Sequence, residues 1–600
     1  MSRAQGLPPA AGGRVPVHAF LGSVAAGLLI GLLAGGLMAV RTTEHNVIGF
    51  TVDSLILGLY LAGIYGLVSG LAGALLGVPL AAYAAFVRRL SGRGAYALAF
   101  GLLLAGYLFL SGMRSYNEDL YYFEYAFINS LREMQLFFAA RTALIALVSA
   151  AAGYLAWRFS RRAPRATAAA LFLIAFVIAL IGHARSIQPD QEPAAHRPPA
   201  FARGELPPLL MVGWDGATWH VIDRLIAEGK LPHTQRLIAG GTRGNLGSPA
   251  HVVSPEIWTT IFTGKEGRKH GIYGFDYYII PGISRPLAPP WRGLGVTRLM
   301  MFAMRHQWID VVISNCTLRR ATPLWNIMNA MGRSAGIVGP LVTWPAEAVE
   351  PFLISSVAGD VARKIRRGRL DPEAFAAEDL FYPPDLDPWV RQQILADERW
   401  RSRVAPYLYR RYRPDFFTVY FGEPDGTQHK RWKWMEPQYY AKVTAAGLER
   451  YADAIEREYT HADSVLGQLL ATAGDTTTVI VISDHGFSPA YRGGVHQAGH
   501  YHGPDGILIA YGPPIRSGFE LEGAHVNDIA PTVLALCGLP IAEDMDGDAL
   551  TAMIRPDFLA RHPLRTTPTY EFDPTTAEVR RSRAEDEIYE KLRSLGYIGE

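Results

Sequence analysis

Val479-Ile480-Val481-Ile482-Ser483-Asp484-His485 is a short apolar run that stops at an aspartate with a histidine directly after it. Two other runs in the last two-thirds of the chain also lead to an aspartate. They are Leu209-Leu210-Met211-Val212-Gly213-Trp214-Asp215 and Phe416-Phe417-Thr418-Val419-Tyr420-Phe421, the second continuing to Asp425 and His429. Apolar runs of this length, rich in Val, Ile and Phe and closed by Gly, Pro or Asp, read as buried strands of a parallel sheet. Open α/β sheets carry their chemistry just beyond the carboxyl ends of the strands, so three strand ends deliver Asp and His to one edge. Mixed oxygen and nitrogen sets of this kind bind Zn, Mn or Fe, and their repetition is the pattern of a two-metal hydrolytic centre.

Ahead of these runs the composition changes. After an N-terminal tail, 1–16, the stretch from Val17 to Val40 carries no charged residue and at about 24 residues is long enough to cross a bilayer core as a helix. Residues 47–87 have room for two more spans, interrupted only by Asp53, and 95–113, 142–157 and 167–184 read as further ones. Region 17–184 is therefore an all-α transmembrane bundle of five or six spans, whereas a cleaved leader supplies a single apolar segment. Arg88, Arg89 and Arg93, then Arg158, Arg161, Arg162 and Arg165, mark two cytoplasmic loops. The chain after about Ala184 then faces the periplasm or the cell exterior, and six crossings put the N-terminus outside as well, although Arg3 and Arg14 argue the other way and 47–87 can also be read as one tilted or re-entrant segment.

Residues 185–208 are rich in proline and lack an apolar period, so they read as an extended linker. From 209 to 552 apolar runs alternate with helical patterns such as Ala445–Leu470, the rhythm of an α/β sheet flanked by helices. The tail, 553–600, ends in a basic, helix-prone segment with no assigned chemistry. The two cysteines, Cys316 and Cys537, cannot staple so large a domain, and Cys537 lies in an apolar stretch that suits a core. A net charge of +3 gives no reason to expect a nucleic-acid polymer as partner.

Ser254-Pro255 follows the first strand by about forty residues and suits the first turn of a helix, where a hydroxyl sits beside a site that favours anions. The same dipeptide is common as a plain helix cap, and Asp215-Gly216 by itself reads as a turn. Asp425 and His429, four apart, share one face of a helical turn. Asp484 and His485 adjoin at a strand end, and either pair could also be a salt bridge or a cap. His496, His500 and His502 form a histidine-rich loop of which one or two members at most need be ligands.

The order of these residues resembles the alkaline phosphatase superfamily, and most closely its type I phosphodiesterase/nucleotide pyrophosphatase branch. The resemblance runs over 209–552 through Trp214-Asp215-Gly216, Leu231-Pro232-His233, Gly240-Gly241-Thr242-Arg243-Gly244, Ser254-Pro255, Thr263-Gly264, His270-Gly271-Ile272 and Thr343-Trp344-Pro345. It continues through Pro424-Asp425, Ser483-Asp484-His485-Gly486, His502-Gly503-Pro504-Asp505-Gly506 and Asn527-Asp528-Ile529-Ala530-Pro531-Thr532. It implies an alkaline-phosphatase-like, mostly parallel sheet flanked by helices. It also implies two divalent metal ions, zinc ahead of manganese: one held by Asp215, Asp484, His485 and the oxygen of Ser254, the other by Asp425, His429 and His502. Ser254 is then the nucleophile, and a phosphoseryl intermediate is expected.

Members of the branch that cleave nucleotides place an asparagine shortly after His-Gly-Ile, where this chain has Tyr273-Gly274-Phe275, so nucleotide specificity does not carry over. Sulfatases need an arginine where Trp258 stands. The expectation is a membrane-anchored phosphodiesterase of the cytoplasmic membrane with an external catalytic domain and a phosphoester substrate. A phospho-head-group transferase acting on lipid-linked substrates shares its architecture with several-span phosphoethanolamine transferases and lipoteichoic acid synthases. A non-catalytic membrane scaffold is the third reading. Product analysis with and without alcohol acceptors separates the first two, and retained function after loss of Ser254 marks the third.

Overall fold

The computed structural model describes residues 14–46, 51–87, 94–105, 206–249, 253–288, 308–370, 380–381, 388–440, 443–492, 495–499, 505–571 and 584–594, with a few isolated positions besides. The chain divides into two units, one of 1–190 and 278–311, the other of 191–277 and 312–600. No change of composition marks 278–311, which belongs with the first unit.

In the first unit two long apolar helices pack side by side, α1 (Arg14–His45) and α2 (Val52–Val87). Both are long and apolar enough to cross a membrane. Of the stretch with room for two spans, Val52–Val87 forms one helix of 36 residues, the single-segment alternative. At about 1.5 Å per residue it measures roughly 54 Å, more than one bilayer core and too short for two crossings and a turn. A shorter apolar helix covers Gly94–Ala105, and the expected spans at 142–157 and 167–184 lie outside the described residues apart from isolated positions.

Gly27, Gly31 and Gly35 recur at every fourth position of α1 and let the two backbones touch. A Cβ on Gly31 would lie 2.2 Å from the carbonyl oxygen of Tyr65. Small residues at this spacing are what close helix packing in a lipid environment uses. At the junction of the helices the Asn46 side chain donates to the Ala288 carbonyl (3.0 Å) and accepts from its N–H (2.7 Å), and Asp53 accepts from the Ser284 N–H (3.1 Å). Tyr278, Ile280, Ile283 and Leu287 complete an apolar cluster with Met38, Leu57 and Leu61.

The second unit is built on a nine-stranded sheet. Its strands are β1 (Leu209–Trp214), β2 (Thr242–Gly247), β3 (Ala335–Val338), β4 (Pro351–Ile354), β5 (Leu380–Phe381), β6 (Phe416–Phe421), β7 (Thr478–Ile482), β8 (Gly506–Tyr511) and β9 (Phe519–His525), in the order β9-β2-β8-β7-β1-β6-β3-β4-β5. The three runs that opened the sequence reading are the central strands β7, β1 and β6. They are parallel, aligned at Leu209↔Phe416 and Leu209↔Thr478, and wholly buried. Their carboxyl ends therefore stop level with one another. β8 runs antiparallel to β7 and β2, and β5 antiparallel to β4, so the sheet is mixed with a mostly parallel centre.

Apolar layers cover both faces of the sheet, one around Leu210, Val212, Phe417, Val419, Val479 and Val481, the other around Leu209, Met211, Phe416, Ile480 and Ile482. Alternate residues of each strand feed opposite layers, as the pleat requires. Cys537 is buried in the second layer, in keeping with the sequence reading. The helical pattern at Ala445–Leu470 resolves into two helices, Ala445–Tyr451 and Ala454–Ala473.

Candidate metal centre

Because β1, β6 and β7 end together, the residues after them meet. The Asp215 N–H donates to the Phe421 carbonyl at 3.0 Å, closing the β1 end against β6. Gly216 follows at φ +67°, a conformation that costs a residue with a side chain. A Cβ there would also strike Asp425 Cβ at 2.9 Å, so the glycine lets the Asp215 turn and the Asp425 helix touch. Asp425 and His429 lie one turn apart on α5 (Glu423–Met435), as their spacing predicts, with His429 Nε2 3.4 Å from Asp425 Oδ1. Past β7, the Ser483 hydroxyl donates to the His485 carbonyl (2.7 Å) and accepts from the Ala217 N–H (2.9 Å), fixing the turn that presents Asp484 and His485.

Ser254 is the first residue of α3 (Ser254–Thr263), again as its sequence predicts, and is buried. Its Oγ stands 3.4 Å from His485 Nε2. The same nitrogen is 3.4 Å from Asp215 Oδ1 and 3.3 Å from Asp484 Oδ2. The free donors expected at this helix start are mostly spent, since Glu256 and Ile257 both donate to the Val253 carbonyl and Pro255 has no N–H. α3 thus contributes its end dipole and the hydroxyl rather than a cradle of amides.

Electrostatically the cluster is short of positive charge. Burial first, and then the charges of Asp215 and Asp425, hold the Asp484 carboxyl well above its ordinary range, with His485 working against them. Burial alone would lower the His485 pKa, but Asp484, Asp215 and Asp425 outweigh it and carry it up to about 10. Among the described residues, none donates a well-formed hydrogen bond to the buried Asp215 Oδ1 or Asp484 Oδ2. Buried anions in this number require a compensating cation.

The donor set fits a divalent one. Asp215, Asp484 and His485 can each turn a ligand atom to a common point, all within 4.8 Å of one another. His485 Nδ1 lies 2.9 Å from the Gly486 carbonyl, so that nitrogen carries the hydrogen and Nε2 is left to face the carboxylates, the arrangement usual for a metal-binding imidazole. His500 and His502 lie outside the described residues, and His496 is described only as part of the strand Val495–Gly499. Six of the seven expected residues are thus described in this second unit, and His502 is the one that is not.

A family model for the type I phosphodiesterase/nucleotide pyrophosphatase family matches residues 209–530. The chain belongs to that family. Its members are phosphoric ester hydrolases, the class expected from the motifs. The chain is also similar to arylsulfatase K of Danio rerio, 29% identical over 140 residues, which cover 21% of this chain and 27% of that protein. A 2,3-bisphosphoglycerate-independent phosphoglycerate mutase of Laribacter hongkongensis is 34% identical over 86 residues, 14% of this chain and 16% of that protein. The chain thus spans about a quarter or less of the length of these relatives. Among solved structures, human ectonucleotide pyrophosphatase/phosphodiesterase 5 aligns with 14% identity and a TM-score of 0.36, and an inactive murine form in complex with AMP with 13% and 0.35. Each alignment covers 58% of this chain and 100% of the other.

Residues that the sequence reading passed over surround the cluster of this phosphodiesterase-family chain. Tyr420, counted there only as part of an apolar run, donates its hydroxyl to Asp215 Oδ2, and Trp258 Nε1 donates to the same oxygen at 3.3 Å. Gln428 donates to the Gly216 carbonyl (2.8 Å) and accepts from Tyr459 (3.0 Å), whose hydroxyl also accepts from the Thr218 N–H (3.1 Å). The usable signal was spacing: Trp258 is four residues beyond Ser254, hence on the same helical face.

Proposed function

We propose that the chain is a membrane-anchored phosphodiesterase acting outside the cytoplasmic membrane, with Ser254 as its nucleophile. The observation that carries this reading is the buried Ser254 hydroxyl, 3.4 Å from His485 Nε2, which also faces the buried carboxylates of Asp215 and Asp484. Asp215, Asp484, His485 and Ser254 would hold one divalent ion, and Asp425, His429 and His502 the other. Zinc suits this mixture of carboxylates and imidazoles, and manganese tolerates it. When bound, such ions lower the pKa of a coordinated hydroxyl and neutralise charge on the phosphoryl oxygens.

The chain's own residues then do the rest. Ser254, held at the start of α3, places Oγ for attack on phosphorus; the O–P bond to serine forms as the bond to the leaving alcohol breaks, and the alcohol departs with a proton. Water attacks the phosphoseryl group from the opposite side and restores the hydroxyl. Tyr420 and Trp258 hold Asp215, while Gly486 keeps the Nδ1 hydrogen of His485 in place, so the site is set before substrate arrives. Apolar strands below and α3 beside it keep bulk water from the cluster.

On orientation, Arg88, Arg89 and Arg93 directly after α2 favour a cytoplasmic end there. With α2 as one span, the α1–α2 junction lies outside and the N-terminus inside, which agrees with Arg3 and Arg14 and gives five spans. Segment 278–288, packed at the junction within the same unit, then lies outside too.

The test is purified full-length protein with its metals, assayed on phosphodiesters with and without alcohol acceptors. The reading expects free phosphorylated product, and loss of turnover in Ser254→Ala with most of the metal retained. Transfer to the acceptor as the sole outcome would make the protein a transferase. Full turnover by Ser254→Ala would remove the serine from the chemistry.

A further inference from the structure

Four rings stand in a row from the surface of the second unit to His429. The His429 imidazole meets Phe487 with centroids 4.9 Å apart and ring planes at 86°. Phe487 stacks on Trp432 at 5.0 Å and 29°, and Trp432 stacks on His220 at 6.0 Å and 24°. Phe487 and Trp432 are wholly buried in the first apolar layer, whereas His220 is exposed.

A carboxylate ties the outer end of the row. Glu436, which closes α5, accepts from Trp432 Nε1 at 2.7 Å and bonds His220 Nε2 at 2.6 Å. His220 belongs to the helix Trp219–Ala227, which follows Asp215 beyond β1, and Phe487 comes two residues after His485 beyond β7. Trp432 lies one helical turn beyond His429 on α5, after β6. The segments that follow all three central strands therefore meet in this row, and Phe487 is wedged between two side chains of one helix.

A ligand imidazole has to be held in rotation as well as in place, because the torsion that turns a histidine ring is broad and only roughly two-fold. For His485 the bond from Nδ1 to the Gly486 carbonyl does this. For His429 the structure shows a buried ring set perpendicular to it, and in a close-packed interior such a neighbour limits how the imidazole can swing. We propose that Phe487 is a positioning residue for His429, backed by Trp432 and through it by Glu436 and His220. Phe487 thus acts on the ion that His429 would hold and leaves the ion at Asp215, Asp484 and His485 little changed. This rests on the two-metal phosphodiesterase reading above. Phe487 has no donor atom, so its part is to set the imidazole and not to bind metal.

The test challenges zinc-loaded, full-length protein with a graded chelator, in the wild type, His429→Ala, Phe487→Leu and Phe417→Leu. Phe417 is the control, a buried phenylalanine of the same apolar layer that packs on Tyr409 of α4 (Trp400–Tyr412), centroids 4.7 Å apart. The wild type should hold two zinc ions per chain and His429→Ala one. Phe487→Leu should keep one ion at wild-type affinity and hold the other about ten-fold more weakly, the scale of an outer partner of a metal ligand. Phe417→Leu should leave both affinities unchanged. Trp432→Phe loses the Glu436 bond but keeps a ring against Phe487, so it should show a smaller loss at the same ion, and it decides the matter if Phe487→Leu does not fold. Wild-type affinity for both ions, equal weakening of both, or the same loss in Phe417→Leu would make Phe487 a packing residue and end the proposal. A wild type that binds fewer than two zinc ions, or a His429→Ala that still binds two, is a different failure and overturns the two-metal reading itself.

Discussion

Tyr420 donates its phenol hydroxyl to Asp215 Oδ2, and this bond leaves the other oxygen of Asp215 to face His485 at 3.4 Å. The two residues come from neighbouring parallel strands, with Tyr420 paired to Gly213 and Asp215 just past the end of its own strand. Trp258 adds a second donor to Oδ2 and stacks edge-on against the Tyr420 ring, centroids 5.1 Å apart. Burial, followed by the charge of Asp215, drives the phenol pKa well above its ordinary value. Tyr420 therefore stays a donor over the whole working pH range, and it decides which lone pairs Asp215 can offer.

Removing that donor should be felt in metal binding rather than in folding. Tyr420→Phe keeps the ring packed in the sheet and loses one charge-assisted hydrogen bond. Outer partners of metal ligands are commonly worth about 10–100-fold in affinity. Competition with a graded chelator should show weakening of that order, while the far-ultraviolet spectrum stays unchanged. Metal affinity equal to wild type would mean that Tyr420 only packs.

The crowding of carboxylates gives a second prediction, of opposite sign for stability and function. Asp484 sits beside Asp215 and Asp425, and its ionised form is disfavoured by burial and by both neighbours. Asp484→Asn relieves that repulsion. With chelator present the variant should melt a few degrees above wild type. Wild type should gain strongly on adding zinc, because a ligand that binds only the folded state stabilises it, and the variant should gain little and turn over nothing. Equal zinc-induced shifts in the two proteins would count against Asp484 as a ligand.

The centre of the sheet and its residues were readable because their physics is local. Wholly buried parallel strands announce themselves as apolar runs, and Asp425 and His429 meet by helical spacing alone. β2 (TRGNLG) and β9 (FELEGAH) were not legible, because they lie at the sheet's far side and are only partly buried, so no apolar run marks them. Tyr420 and Trp258 were hidden for a related reason: an aromatic in an apolar stretch looks like core until a partner for its polar atom is known. The docking of the C-terminal helix Glu585–Ser594 on Val253 and Phe275 brings together positions more than three hundred residues apart, and no period in the sequence encodes such a pairing.

His270 makes stability depend on pH in a defined window. It is fully enclosed, and burial first, then the nearby Arg320, Arg319 and Lys265, lowers its pKa from 6.5 to about 3. Its Nδ1 accepts from the Ile272 N–H at 3.1 Å, so the neutral ring donates from Nε2 to Thr260. In the unfolded chain the ring gains a proton near pH 6.5, which the folded chain does not accept until about pH 3. Its contribution is therefore complete above pH 6.5 and is lost as pH falls from there towards 3, by at most about 1.4 kcal/mol per unit. Denaturant titrations at several pH values should show a shallower acid decline for His270→Gln than for wild type. Parallel slopes would show that the ring titrates freely in the fold.

The last prediction concerns the proposed membrane topology, in which α2 as one span instead of two would put the N-terminus inside rather than outside. With α2 continuous from Val52 to Val87, a membrane-spanning α1–α2 pair would put the arginines at 88, 89 and 93 and those at 3 and 14 on the same side, as the positive-inside rule prefers. In a background lacking Cys316 and Cys537, Thr51→Cys should react with an impermeant maleimide on intact cells. Ser2→Cys and Ser91→Cys should react only after permeabilisation. Labelling of Ser2→Cys from outside would require another crossing between it and Ser91, and a continuous α2 leaves no stretch of chain to make one.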